Sequence, residues 1–350
     1  MAERTWLLTG GCGFIGSNLV RWLLRERPEL TVVDLDALTY AGNLGNLADL
    51  PPEEAERHRF VRGDIAEAAC VRRVFEEHRP SVVLHLAAES HVDRSLTDAA
   101  PFIRTNVLGS QTLLQAALEA RVERFVMVST DEVYGSLGPS GLFTETTPLS
   151  PNSPYAASKT AADLLALAYH RSFGLDLVIT RCSNNYGPYQ FPEKLIPLMI
   201  KNALREEPLP VYGDGLQVRD WIHVEDHVRA LVMIAERGRA GEVYNVGARN
   251  EWPNLKIVHK ILEILGKPPS LIRHVEDRAG HDRRYGIDPT KVETEIGWRP
   301  RVDFEAGLRA TVAWYRDHRP WWEAILSGEY QNFYDRYYGR RLKAAEEARA

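Results

Sequence analysis

The first half of the chain alternates short, continuously apolar runs with stretches of helical periodicity, and few architectures accept that pattern. Val82-Val83-Leu84 and Phe125-Val126-Met127-Val128 have no polar face, so they suit parallel strands covered on both sides. The pattern predicts strands at Thr5–Thr9, Leu30–Leu35, Arg59–Gly63, Val82–Ala87, Arg124–Ser129 and Leu175–Arg181. Helices are predicted at Ile15–Arg25, Ala68–His78, Pro101–Ala120 and Ser158–Ser172. Successive βαβ units of this kind build an α/β, doubly wound parallel sheet, and ligands of such sheets sit at the carboxyl ends of the strands.

From Ser183 the pattern loosens, with prolines at Pro188, Pro192, Pro197, Pro208 and Pro210. A helix at His223–Glu236 and a strand at Val243–Val246 return to the sheet. Beyond Asn250, a helix at Leu255–Leu265, an arginine-rich stretch to Asp288 and a helix near Phe304–Arg316 make a smaller mixed α/β unit. The expected division is a dinucleotide-binding domain at residues 1–182 plus about 220–248, a C-terminal substrate domain at about 183–219 plus 249–338, and a tail at 339–350 that reads as a frayed helix.

Composition narrows the function. A net charge of −5 leaves no basic excess for nucleic acid or an anionic membrane. No apolar run approaches the roughly 20 residues that span a bilayer. Met1-Ala2-Glu3-Arg4 leads straight into the first strand, so no signal peptide is expected. Cys12, Cys70 and Cys182 are odd in number and scattered, which argues against a disulfide framework or a Cys-rich metal site and for a reducing cytoplasm.

Thr9-Gly10-Gly11-Cys12-Gly13-Phe14-Ile15-Gly16 lies between the first strand and the first helix. Glycines there allow a tight turn and close approach of a pyrophosphate to a helix N-terminus. The run contains both Gly11-x-Gly13-x-x-Gly16 and Gly10-x-x-Gly13-x-x-Gly16. With strand before and helix after, it reads as the dinucleotide loop of a Rossmann-like fold. Asp34, near the end of the second strand, is expected to accept hydrogen bonds from ribose hydroxyls. Leu35-Asp36-Ala37-Leu38 offers no arginine for a 2′-phosphate, which favours NAD over NADP. Asp64-Ile65 could hold the adenine edge, or Asp64 could simply cap the next helix. The small residues of Leu86-Ala87-Ala88 would let the cofactor lie against them.

Tyr155-Ala156-Ala157-Ser158-Lys159 puts a phenol and an ammonium one helical turn apart. A cation so placed favours the phenolate and makes Tyr155 a base near neutral pH; the plain alternative is a surface pair with no chemistry. Ser129 or Thr130 could bond the oxygen that Tyr155 deprotonates. Asp131 and Glu132 are either turn caps or, beside a redox centre, the acid and base of an elimination. His85, Glu89, His91 and Asp93 lack a metal-binding spacing, and no metal is expected.

With those segments in place, the chain resembles the extended short-chain dehydrogenase/reductases, most closely their dTDP-glucose 4,6-dehydratase branch, over essentially the whole length to about residue 338. Thr9–Asn18, Tyr40–Leu44, Ala87–Ser95, Ser129–Gly135, Tyr155–Lys159, Arg181–Pro188, Arg219–Val224 and Asp277–Asp288 carry the resemblance. Epimerases and decarboxylases of nucleotide sugars share the glycine loop and the Tyr/Lys pair, whereas Thr130-Asp131-Glu132 is the mark of the dehydratases. The resemblance implies an NAD-dependent enzyme in deoxysugar biosynthesis that oxidises the sugar C4, eliminates water across C5 and C6, and returns hydride to C6. It implies Tyr155 as the C4 base, Lys159 as its partner and nicotinamide-ribose ligand, Thr130 on the C4 oxygen, Glu132 as the C5 base and Asp131 as the acid for the C6 hydroxyl. It further implies Glu89 and Ser90 near the hexose, and Asn184, Lys194 and Leu195 near the sugar and phosphates. Arg219, Asn254, Arg278, His281 and Tyr285 would surround the pyrophosphate, ribose and base. A homodimer built through the helices Pro101–Ala120 and Ala156–Ser172 follows from the same resemblance. The alternatives are a UDP-glucose 4,6-dehydratase, a 4-epimerase in which Asp131 and Glu132 would be idle, and an NAD-sensing binding protein without chemistry. The pattern is broken by Ala279, where proline is expected, and by Trp252-Pro253 before Asn254. Both breaks fall near the anticipated base and ribose pocket.

Overall fold

The structure is a computed structural model and describes residues 4–326 and 339–347; Met1–Glu3, the end of the resemblance near residue 338 and the last residues of the tail lie outside the described residues. Twelve strands are described: β1 (Arg4–Thr9), β2 (Leu30–Asp36), β3 (His58–Arg62), β4 (Val82–His85), β5 (Arg124–Thr130), β6 (Leu177–Cys182), β7 (Asn184–Tyr186), β8 (Leu209–Tyr212), β9 (Val218–His223), β10 (Val243–Val246), β11 (Glu251–Pro253) and β12 (Ile272–Val275). Seven of them form one parallel sheet in the order β10-β6-β5-β4-β1-β2-β3. The order reverses between β1 and β4, so the crevice at their carboxyl ends is the switch point where α/β sheets bind ligands.

Alternate residues of each strand face opposite sides. Leu8, Val32, Leu84, Val126 and Val178 pack with Leu19, Leu23, Val228 and Leu231 of the helices Phe14–Glu26 and Val224–Arg237. Their neighbours Leu7, Val33, Val83, Phe125 and Ile179 pack with Val71, Leu113 and Ala162 of the helices Ala68–His78, Ser110–Ala120 and Pro154–Phe173. This two-sided cover is why the strands read as unbroken apolar runs.

The looser second half forms two small sheets, β11-β9-β7 and β12-β8. They pack against the helices Leu195–Leu204, Asn254–Leu265 and Phe304–Asp317 around Ile196, Trp221, Ile257, Phe304, Tyr315 and Trp322. Periodicity missed these strands because they are three to six residues long and β8 contains Pro210. The C-terminal stretch Arg340–Glu347 is helical.

Two helices differ from expectation in ways that matter to the site. The helix predicted from Ser158 begins at Pro154, because Ser153 caps it by accepting from Ala156 N at 3.1 Å and proline suits its first turn. Tyr155 therefore stands in that first turn. The helix predicted at Pro101–Ala120 loosens to π geometry over Ile103–Gly109, a widening frequent near functional sites. Here it brings Asn106 to donate to Ser158 Oγ at 2.8 Å and to the Glu89 carbonyl at 3.0 Å.

Candidate active site

One cavity of about 440 Å³ opens across the carboxyl ends of the large sheet and runs toward the smaller unit. Gly10, Gly13, Phe14, Ile15 and Gly16 line one end, with Asp64, Ile65, Leu86, Ala87 and Ala88. Thr130, Glu132, Tyr155 and Lys159 line the middle, and Glu89, Ser90, Asn184, Lys194, Leu195, Arg219, Asn254, Arg278, His281 and Tyr285 line the remainder.

The glycine turn has a specific construction. Gly10 has φ +77°, and a Cβ on it would lie 2.8 Å from Ala87 N; a Cβ on Gly16 would lie 2.0 Å from Gly10 O. The first helical bond runs from Ser17 N to Gly13 O at 2.9 Å, leaving the N–H groups of Phe14, Ile15 and Gly16 as the anion-binding end of the helix. The wall is thus the Gly10-x-x-Gly13-x-x-Gly16 series. Gly11 faces away, where its missing Cβ makes room for Asp34.

That packing corrects the expectation for Asp34. It is fully buried, accepts from Gly11 N at 2.8 Å and from Cys12 Sγ at 3.4 Å, and does not line the cavity. Asp36, two residues on, does line it. Residues two apart in a strand share a face, so both carboxylates meet the glycine turn, and only the one at the strand end lines the cavity. Asp36 accepts from Cys12 N at 3.0 Å and from Leu38 N at 2.7 Å. Burial raises its pKa to about 6, against the backbone donors. The sequence signal that could have found it was its place as the last residue of β2. Cys12, Asp34 and Asp36 are close enough to share a cation, yet both carboxylates already take backbone donors and burial pushes the Cys12 thiol far above its usual value.

Asp64 accepts from Ala66 N at 2.8 Å and from Arg104 Nη2 at 2.7 Å, so it closes its own turn and pairs outward. Thr105, Thr39 and Gly42 also line this end; nothing in their spacing announced them.

At the centre, β5 ends in Thr130, whose Oγ1 accepts from Glu132 N at 3.3 Å and donates to Asp131 Oδ1 at 3.4 Å. A short turn over Asp131–Tyr134 then sends Glu132 to the cavity and Asp131 behind its wall. Asp131 is buried, its Oδ2 has no hydrogen-bond partner, and burial with the Glu132 and Asp220 charges holds its pKa well above the carboxylate range. Glu132 is raised too, by burial, but Arg278, Lys194 and Arg219 oppose that. The two carboxyls therefore differ in their preference for the proton.

Tyr155 lies edge-on to Phe102 at 6.3 Å. Burial and then the Glu132 charge raise its pKa well above the usual phenol value, while Thr130 pulls it down. Lys159 donates from Nζ to Val128 O at 2.8 Å, which anchors its ammonium to the strand. Burial lowers the Lys159 pKa, and Asp163 works against that.

Farther along the cavity, Lys194 donates to Ser90 O at 2.8 Å, and Arg278 pairs with Asp93 at 3.2 Å. Arg219 donates to Asp282 O at 2.9 Å and lies 4.1 Å from the centre of the Tyr285 ring. Tyr285 bonds Asp282, and His281 Nδ1 lies 2.6 Å from Asp277 Oδ1. Asn184 Oδ1, Asn254 Oδ1 and Arg278 Nε are buried and have no protein partner, polar atoms of the kind a bound polar molecule satisfies. Glu193, which was not anticipated, also lines the cavity, and burial raises its pKa to about 7. His85 is committed to Thr9 Oγ1 at 2.7 Å and Ser110 Oγ at 2.9 Å. Of the two sequence departures, Trp252 stacks on Phe304 at 5.4 Å and Ala279 stands beside the cavity; neither lines it.

The family profile described as GDP-mannose 4,6 dehydratase matches residues 7–311. A dTDP-glucose 4,6-dehydratase of Xanthomonas campestris pv. campestris is 52% identical over 345 residues, covering 93% of this chain and 97% of its own. One from Streptomyces griseus is 55% identical over 322 residues, covering 91% and 96%. The crystal structure of a dTDP-glucose 4,6-dehydratase from Streptomyces venezuelae with NAD and dTDP bound superposes with a TM-score of 0.87 at 52% identity, covering 92% of this chain and 99% of that one.

Proposed function

The chain belongs to the GDP-mannose 4,6-dehydratase family, and from that premise we infer that it performs the reaction of the dTDP-glucose 4,6-dehydratases it resembles. It is an NAD-dependent hydro-lyase that converts dTDP-glucose to dTDP-4-keto-6-deoxyglucose and water. The observation that carries the reading is one cavity joining the glycine loop, the Tyr155–Lys159 pair and the Thr130-Asp131-Glu132 turn.

The cavity fits NAD by its own features: the glycine wall that a Cβ would fill and the free N–H groups of the first helical turn. Asp36, at the end of β2, takes the adenosine ribose, and its carboxylate disfavours a 2′-phosphate. Asp64 and Ile65 flank the adenine, Leu86, Ala87 and Ala88 lie along the cofactor, and Lys159 holds the nicotinamide ribose. When bound, NAD accepts the hydride from C4 and returns it to C6.

The protein's residues handle the protons. Tyr155 Oη takes the proton of the C4 hydroxyl while Thr130 Oγ1 bonds that oxygen. The ketone acidifies the hydrogen at C5, and the Glu132 carboxylate removes it. The neutral Asp131 carboxyl gives its proton to the departing C6 hydroxyl, so water leaves. Because Asp131 Oδ2 has no protein partner, turning it toward the cavity breaks no bond at that atom. Glu132 then returns a proton to C5; the proton taken from C4 stays on Tyr155 and Asp131 is left without one, and exchange with solvent restores the phenolate and the acid. Arg219, Arg278, His281 and Tyr285, with Asn184, Lys194, Leu195 and Asn254, hold the nucleotide diphosphate, and Glu89 and Ser90 hold the hexose. In this reading residues 1–182 plus about 220–248 bind NAD, and about 183–219 plus 249–338 bind the nucleotide sugar.

Exposed Ile103, Leu108, Leu164 and Phe173 on the two alanine- and leucine-rich helices support pairing with a second copy. No helix among the described residues is long and apolar enough to cross a membrane, and we place the enzyme in the cytoplasm.

The test is incubation with dTDP-glucose and UDP-glucose separately in heavy water. Loss of one water from the dTDP-sugar with label at C5 is expected. A 4-epimer without water loss would overturn the roles of Asp131 and Glu132; turnover of the UDP-sugar alone would move the nucleotide preference.

A further inference from the structure

We propose that Trp321, acting through Asn46, positions the glycine loop and thereby sets how tightly the cofactor is held; the inference rests on the NAD-binding reading above.

The chain of contacts begins at the carbonyl of Cys12, inside the glycine run. That oxygen accepts from Asn43 N at 3.0 Å and from Asn46 Nδ2 at 2.9 Å. A peptide unit is planar, so holding its carbonyl fixes the direction of the following N–H and the entry to the helix. Here Gly13 N turns to Gly10 O at 3.2 Å, and the helix opens at Phe14.

Asn46 is buried, and its backbone is gripped as well: its carbonyl accepts from Arg21 Nε at 3.1 Å and Nη2 at 2.6 Å. Its side-chain oxygen accepts from Trp321 Nε1 at 2.8 Å. An indole N–H can only donate, and a backbone carbonyl can only accept. The Asn46 amide therefore has one orientation that satisfies both neighbours, and the Trp321 donor reinforces it. Without that donor, the Cys12 carbonyl alone orients the amide, and the Asn46 side chain is held at one end only.

Trp321 is itself held by aromatic neighbours. Its ring lies 5.1 Å from Trp314 and 5.8 Å from Tyr189, and Arg21 sits 4.8 Å over the Tyr189 ring. It comes from the helix Arg319–Ile325, at the edge of the C-terminal core. Neither Trp321, Asn46 nor Arg21 lines the cavity. The C-terminal core thus reaches the cofactor loop by a path that bypasses substrate. An enzyme that returns its hydride to the same sugar gains from a loop that does not let the dinucleotide go between the two transfers.

The test is NAD binding to the full chain without sugar, by equilibrium titration and dissociation rate. Binding by the wild type checks the cofactor reading separately. Trp321→Phe keeps the packing but loses the donor, and is expected to weaken NAD about fivefold, as one neutral hydrogen bond would. Asn46→Asp keeps an acceptor for Trp321 but offers Cys12 no donor, and is expected to weaken it about tenfold or more. Trp322→Phe is the control: it loses the bond from Trp322 Nε1 to Tyr315 O at 2.8 Å within the same helix and core, and should leave NAD affinity unchanged. Turnover of Trp321→Phe at saturating NAD should match the wild type. Unchanged affinity in either Trp321→Phe or Asn46→Asp, or equal weakening in Trp322→Phe, would overturn the proposal.

Discussion

Lys159 donates from Nζ to the carbonyl oxygen of Val128 at 2.8 Å, which ties the helix that carries Tyr155 to the strand that ends in Thr130. Lys159 also lines the cavity, so its brace to the strand and its proposed role on the cofactor share one position. Lys159→Met is expected to lower turnover by about 100-fold or more, with weaker NAD binding. Initial rates and a cofactor titration check this; a variant with near-normal rates would remove Lys159 from the mechanism.

Glu132 and Tyr155 act at successive steps in the proposed sequence, so their loss should be distinguishable. Glu132→Gln should still oxidise C4 but stall before water leaves. A rapid-mixing measurement should then show reduced nicotinamide absorbance accumulating toward one equivalent per site, with no deuterium entering C5. Normal water loss in this variant would assign the C5 proton to another base.

Asp34 and Asp36 separate fold from binding. Asp34→Ala removes the buried acceptor of Gly11 N and leaves that donor orphaned, which should cost about 1–3 kcal/mol of stability. Asp36→Ala leaves the Asp34 bonds to the turn intact and should weaken NAD about tenfold or more. Chemical denaturation and NAD titration of the two variants give opposite patterns if Asp36 is the ribose ligand. Equal loss of NAD affinity in both would return Asp34 to that role.

The buried carboxyls give stability a definite pH dependence. Burial raises Asp36 and Asp220 from 3.8 to about 6, and Glu193 from 4.5 to about 7. Each binds its proton more tightly in the folded protein than in the unfolded chain. Their stabilising contribution is therefore whole below the ordinary carboxylate values and is lost as pH rises through the folded ones. The melting temperature of the ligand-free protein should carry a falling component between about pH 4 and about pH 7. Glu193→Gln should flatten the upper part of that fall, and an unchanged profile would show that Glu193 titrates normally.

Asp131 has a kinetic counterpart. In the proposed role of acid it must be protonated, so elimination should slow as pH rises through its raised pKa. Asp220 is one of the charges that raises it; Asp220→Asn should move that decline to lower pH. A decline that stays in place would mean that Asp220 does not govern the acid.

Leu164 is exposed on the helix Pro154–Phe173, with Ile103 and Leu108 exposed on the adjoining π segment. Leu164→Glu should turn a dimer into monomers, read by sedimentation. A wild type that sediments as a monomer would end the pairing proposal.

Much of this protein follows from local pattern. Unbroken apolar runs of strand length between amphipathic stretches commit a chain to a covered parallel sheet, because nothing else buries both strand faces. The glycine run after β1 and the Tyr155–Lys159 spacing were legible because a tight turn and one helical turn are short-range geometry. Tertiary packing decided the rest. Asp34 and Asp36 look alike in sequence, and only the depth of the glycine turn makes one a buried brace and the other a cavity wall. Asp131 and Glu132 are adjacent, yet the turn after Thr130 sends them to different sides of the wall, where different neighbouring charges act on the two carboxyls. The contact between Trp321 and Asn46 spans 275 residues. No periodicity encodes such a pair, since its partners belong to distant elements that only tertiary packing brings together.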